Sequence, residues 1–136
     1  MKVFTLVLLA VLIPLTCTAK PKSVKIYYVP WSVATSVAMS AGGVRKNAFV
    51  TYEILDATYA AMFVKSLGEE TMQADPELRV ADLRLVIDVV DEDGSISSYY
   101  ASQFAMVAEK SGKKKLIDES FRSRFTATLR YENGGS

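Results

Sequence analysis

The stretch DVVDEDG, residues 88–94, gathers Asp88, Asp91, Glu92 and Asp93 ahead of Gly94. Carboxylates at this density suggest either oxygen ligation of calcium or an acid–base pair for hydrolysis. An EF-hand loop needs oxygen ligands at alternate positions, then Gly, then Glu six residues later, with helices on both sides. Here the flanks have strand character, and Tyr100 stands where that Glu belongs. The stretch reads as a solvated hairpin turn, and no metal is expected. A catalytic reading survives only if folding brings a second acid to Asp88.

The chain has no histidine. That excludes Ser-His-Asp and Cys-His catalysis, histidine-ligated zinc, and imidazole as the proton carrier near neutral pH. What remains for an enzyme is a carboxylate pair, a Ser-Lys dyad or an Arg-assisted site. SGKK, Ser111 to Lys114, fits S-x-x-K by letter, but the S-D-N and K-T-G elements that accompany it in penicillin-recognising enzymes are missing. SAGGVRK, Ser40 to Lys46, offers backbone amides to an anion but carries no nucleotide-binding fingerprint. Lys113 to Lys115 read as a solvated strand end whose lysines guard a sheet edge. No cofactor is expected.

Aromatic residues point instead to binding. Tyr27 and Trp31 alternate with Ile26 and Tyr28, and Tyr99 takes the opposite face from Tyr100. With Arg84 and Asp88 as a polar rim, Tyr27, Trp31 and Tyr99 form a candidate binding surface, since aromatic and Arg side chains are common interface anchors. The competing reading is a second buried face.

The elements that must carry these residues follow from pattern. VKIYYVPW, Val24 to Trp31, alternates as a strand that Pro30 ends or places at an edge. SVATSVAMSAGGVRKN is ambiguous, with Gly42 and Gly43 marking a turn, and AFVTYEI, Ala48 to Ile54, reads as a second strand. DATYAAMFVKSLG predicts a helix with Asp56 as N-cap and Gly68 just past its end. Its apolar stripe is Ala60, Phe63, Val64 and Leu67.

A polar connection follows, and then LRLVIDVVDEDGSISSYYASQF predicts a hairpin. A two-residue type I′ turn at Asp93-Gly94 sets Ile87 opposite Tyr100 on the core face and Asp88 opposite Tyr99 on the other. A turn at Ser111-Gly112 returns KKKLID as a short strand. A final helix over about 119–129 aligns Phe121, Phe125 and Leu129, with Asp118 and Glu119 at its start. The expected fold is α+β: an antiparallel sheet of about four or five strands with two helices packed on one face.

The N-terminus begins with Lys2 and continues through the apolar run VFTLVLLAVLIPL. That run falls short of the roughly 20 residues of a spanning helix. Cys17 and Ala19 supply small residues at −3 and −1 of a cleavage site, so residues 1–19 read as a secretory signal peptide. The minor alternative is a lipoprotein anchored through Cys17, although Pro14 and Thr16 stand where a lipobox wants Leu and a small residue. The single cysteine would leave with the leader, and with it thiol chemistry. Residues 20–136 form one small domain with a loose tail from Glu132.

Sixteen basic residues face 15 acidic ones, and Lys2 is the only charge in the leader, so the mature balance is zero. That gives no global case for nucleic acid or an anionic membrane, and no membrane span is expected after leader removal. Two function classes follow. One is an exported, non-enzymatic binding protein of the inhibitor, accessory or envelope-factor type, located in the periplasm or outside the cell. It would use its aromatic sheet face or an edge strand against another envelope or extracellular protein. The other is a small secreted hydrolase built on a carboxylate pair.

Overall fold

The computed structural model describes residues 20–132, with side chains described through Leu129. The leader expected over 1–19, Cys17 within it, and the tail beyond Glu132 lie outside the described residues. The elements in chain order begin with β1 (Pro21–Tyr28), α1 (Ala41–Asn47), β2 (Val50–Ile54), α2 (Ala57–Ser66) and a single 3₁₀ turn. β3 (Gln73–Ala74), β4 (Leu85–Asp91), β5 (Ile96–Ala101), β6 (Ala105–Ala108), β7 (Lys113–Leu116) and α3 (Glu119–Glu132) follow. All strands join one antiparallel sheet in the order β2-β1-β4-β5-β6-β7-β3.

β1 forms because Val24, Ile26 and Tyr28 bury one face while Lys25 and Tyr27 take the other. Its buried residues meet Val89, Ile87 and Leu85 of β4 in register. Tyr99, Ala101, Met106 and Ala108 extend this face, and Ala60 and Leu67 of α2 with Phe125 and Leu129 of α3 cover it. The helices are held at their ends by local chemistry. Asp56 Oδ1 accepts from the Tyr59 amide at 2.9 Å, and Asp118 Oδ1 accepts from the Phe121 amide at 2.8 Å. Gly68 closes α2 at φ 68°, and the Lys115 ammonium donates to the Leu67 carbonyl, placing a cation at the helix's negative end.

The expectation of four or five strands with two helices on one face is corrected to seven strands and three helices among the described residues, within an α+β architecture. The extra helix is α1, which covers the opposite face of the sheet through Val44, packed with Val29, Leu83 and Val86. It occupies the segment where Gly42 and Gly43 suggest a turn. Ser40 overrides them: its Oγ accepts from the Gly43 amide at 3.1 Å.

Two further strands, β6 and β3, complete the sheet. β5 turns at Gln103-Phe104 into β6 without Gly, Pro or Asn, because Ser102 Oγ accepts from the amides of Phe104 and Ala105. β3 adds a two-residue strand outside β7 within the connection read as polar loop.

The hairpin register also differs by one. The loop is Glu92-Asp93-Gly94, closed by Asp91 N–H to Ser95 O and Gly94 N–H to Asp91 O, both 2.9 Å, with Gly94 at φ 84°. A three-residue loop with glycine in the left-handed region replaces the two-residue turn. Ile87 therefore faces Tyr99, and Val86 faces Tyr100.

Candidate functional site

The five residues expected to form one surface are divided among three environments. Tyr27 and Asp88 lie on the α1 side of the sheet, where Lys25 Nζ sits 5.5 Å from the Tyr27 ring centroid. Trp31 and Tyr99 lie on the α2–α3 side. Pro30 breaks the alternation, so Trp31 turns back over Tyr28 and Phe125, with ring centroids at 5.4 and 6.4 Å. The one-residue change of register puts Tyr99 in the core, 5% exposed, with its hydroxyl donating to Glu69 Oε2 at 2.6 Å. Burial, and then Glu69, push that hydroxyl well above the ordinary tyrosine pKa.

Arg84 is 3% exposed and forks onto Asp82, NH1 to Oδ1 and NH2 to Oδ2, both 2.9 Å. Tyr27 and the pair Trp31 and Tyr99 thus stand on opposite faces of the sheet, each with a covering helix.

Asp88 sits in a network that the sequence did not reveal, because Arg45 lies in the stretch read as a turn. Arg45 Nε and NH2 donate to Asp88 Oδ2 and Oδ1 at 3.0 and 2.8 Å, and Ser98 Oγ adds a bond at 2.7 Å. The guanidinium also lies 5.9 Å from the Tyr100 ring centroid, and Tyr100 donates to Glu109 at 2.5 Å.

Burial alone would raise the Asp88 pKa. The hydrogen bonds from Arg45 and Ser98, with the charges of Arg45 and Lys25, outweigh it and hold the carboxyl below the ordinary aspartate value. A carboxylate held ionised in this way is a poor proton donor near neutral pH. Its stabilising effect is present above the unfolded-state pKa and is lost as pH falls through the lower folded value. Asp88→Asn, which keeps an acceptor for Ser98, should cost roughly 1 kcal/mol at pH 7, Arg45 being partly open to solvent. Urea unfolding should show the parent's advantage over the variant shrinking below about pH 4. An advantage that stays undiminished from pH 7 to about pH 2 contradicts the lowered pKa.

The other side of the sheet holds a groove. Phe63 and Ser66 of α2 and its C-cap Leu67 face Phe121, Arg124, Phe125 and Thr128 of α3 across about 250 Å³. Phe63, Ser66 and Thr128 also line an adjoining section of about 240 Å³, bounded by Ile26, Leu129, Ile54 and Tyr52. Tyr59 and Met62 stand at the rim, 59% and 63% exposed.

At the opposite end Lys115 Nζ lies 5.5 Å from the Phe121 ring centroid and also lines a polar depression of about 400 Å³ with Thr71, Gln73, Asp75 and Lys114. Burial lowers the Lys115 pKa; Glu70 opposes the fall and Arg124 adds to it. The sequence signal for this groove was present in the two apolar stripes. A stripe by itself suggests core, since it does not reveal whether the facing helix closes on it. Among the described residues, no helix is long and apolar enough to cross a membrane. No family model, curated protein or solved structure matches this chain.

Proposed function

We propose that this chain is an exported, non-enzymatic binding protein that receives an apolar ligand in the groove between α2 and α3. The observation that carries the reading is the groove itself: two adjoining sections of about 250 and 240 Å³ that share Phe63, Ser66 and Thr128 as lining, in a domain of this size. Protein interiors are close-packed, and small-molecule sites occupy about 300–1,000 Å³ with mostly apolar linings and a few polar groups. Met62 supplies an adaptable rim, and the rings of Phe63, Phe121 and Phe125 supply a preformed wall.

Asp88 speaks against the hydrolase alternative, because Arg45 and Ser98 already occupy its oxygens. Export is supported by the leader pattern of residues 2–19, and the exported chain should have an intact mass beginning at Lys20 with no added lipid.

The groove is tested with phenylnaphthylamine, a neutral dye that brightens in apolar surroundings. The parent should bind it saturably. Thr128→Trp, which places an indole in the groove from an exposed position of α3, should weaken uptake by about tenfold or more while leaving the thermal midpoint nearly unchanged. A parent that leaves the dye dark refutes the reading.

A further inference from the structure

We infer that the ligand of this groove is a long-chain carboxylate, with its acyl chain lying between α2 and α3 and its carboxylate held by Arg124 and Lys115. The inference rests on the groove being the binding site, and it adds the ligand's charge and orientation.

The groove's two ends differ chemically. One is a rim of Tyr59 and Met62 above Ile26 and Leu129, with no charged side chain among its described lining residues. The other places Arg124 beside Phe121 and Phe125, with Lys115 next to them against the Phe121 ring. Beyond Lys115 the surface becomes polar, in the depression that it shares with Thr71, Gln73, Asp75 and Lys114. A ligand that follows the lining must therefore be apolar along most of its length and anionic where it emerges.

Both cations are available. None of the ion pairs among the described residues engages Arg124 or Lys115. Among those residues the Arg124 side chain makes a single hydrogen bond, from Nε to the Ser120 carbonyl at 3.4 Å. Its remaining donors are arranged in the planar fork that matches a carboxylate's two oxygens. Lys115 spends one donor on the Leu67 carbonyl and keeps two. Phe121 and Arg124 stand at i and i+3 of α3, and Lys115 rests against the Phe121 ring, so both cations are placed toward the same end of the groove. A compact head fits the single Arg and single Lys, and an unbranched chain fits a groove walled by the two helices.

Trp31 provides the readout. It is the only tryptophan in the chain, and its ring packs against Phe125 on the groove wall. Dodecanoate, titrated into the full chain below its micelle concentration, should change Trp31 emission saturably. Dodecanol and dodecyltrimethylammonium should bind at least about tenfold more weakly, as one charge-assisted contact is lost or reversed. Acetate should produce no change at millimolar concentration.

Arg124→Glu should weaken dodecanoate by about tenfold or more while weakening the uncharged dodecanol far less, and Arg124→Lys should restore most of the dodecanoate affinity. The inference is overturned if dodecanoate and dodecanol bind alike, or if Arg124→Glu leaves dodecanoate unaffected. In either case retained dye uptake keeps the groove as the binding site. Loss of dye uptake as the concentration of the parent rises would assign the groove to a second copy of the chain, and overturns the inference as well. Failure of the parent to take up dye at any concentration refutes the broader reading.

Discussion

Phe125→Ala is expected to lower the stability of the folded chain by about 3–5 kcal/mol, the range for deleting a buried aromatic ring. Phe125 is 6% exposed and connects three elements. Its ring centroid lies 6.1 Å from that of Tyr28 in β1, 6.3 Å from Phe63 in α2 and 6.2 Å from Phe121 one turn earlier in α3, with Trp31 at 6.4 Å. Aromatic pairs of this kind contribute about 0.5–1.5 kcal/mol beyond the area they bury. Truncation leaves a cavity that sheet residues cannot fill, because their neighbours on the strands fix them. Urea unfolding measures the effect. A shift under about 1 kcal/mol would mean that α3 unfolds independently of the sheet, and a reduced denaturant slope would show the same detachment.

Phe125 was legible in the sequence because α3 announces itself locally. Asp118, Phe121, Phe125 and Leu129 carry the cap and the spacing within one short stretch, and the same holds for Asp56, Ala60, Leu67 and Gly68 in α2. In both cases the deciding hydrogen bonds connect neighbours in sequence. The hairpin shows where such reasoning stops. DEDG suits a two-residue turn with Gly94 in second place and a three-residue loop with Gly94 last, because both want φ above zero at the glycine.

The choice between them moves every side chain of β5 to the other face relative to β4. That one-residue difference takes Tyr99 from the expected patch into the core and puts Tyr100 over Arg45. The patch was a consequence of register, and register is set by packing across the sheet. α1 was hidden for a related reason. Two glycines lower its intrinsic propensity, and Val44 stabilises it only through contact with Val29, Leu83 and Val86, residues far away in sequence. The groove depends on the separation of two helices that the sequence reads correctly one at a time. Lys115 reaches the Phe121 end of the groove only after β7 pairs with β6 and places it opposite Met106, beneath the end of α2.

Asp82→Ala is expected to destabilise the chain by roughly 2–4 kcal/mol, an effect out of proportion to a side chain that is 43% exposed. Three things are lost together. Arg84, whose side chain is only 4% exposed, loses both of its bonds to a carboxylate, and its Nε already has no hydrogen-bond partner among the described residues. A buried cation without its counter-charge is the costly outcome, more so than the pair itself is favourable. The Met39 amide loses its acceptor, Asp82 Oδ1 at 3.1 Å, and with it one of the ties between the α1 approach and the β4 approach. Finally, Asp82 sits at φ 58°, where Asp and Asn are tolerated better than Ala. Asp82→Asn keeps the backbone preference and an acceptor for Met39, so its smaller loss, about 1–2 kcal/mol, measures the charge. The decisive variant is the double, Asp82→Ala with Arg84→Met. It removes the stranded cation while retaining an apolar stem in the same space, and urea unfolding should find it more stable than Asp82→Ala alone. If the double variant is no better than the single, the cost lies in the backbone at Asp82, and the Arg84 charge contributes nothing.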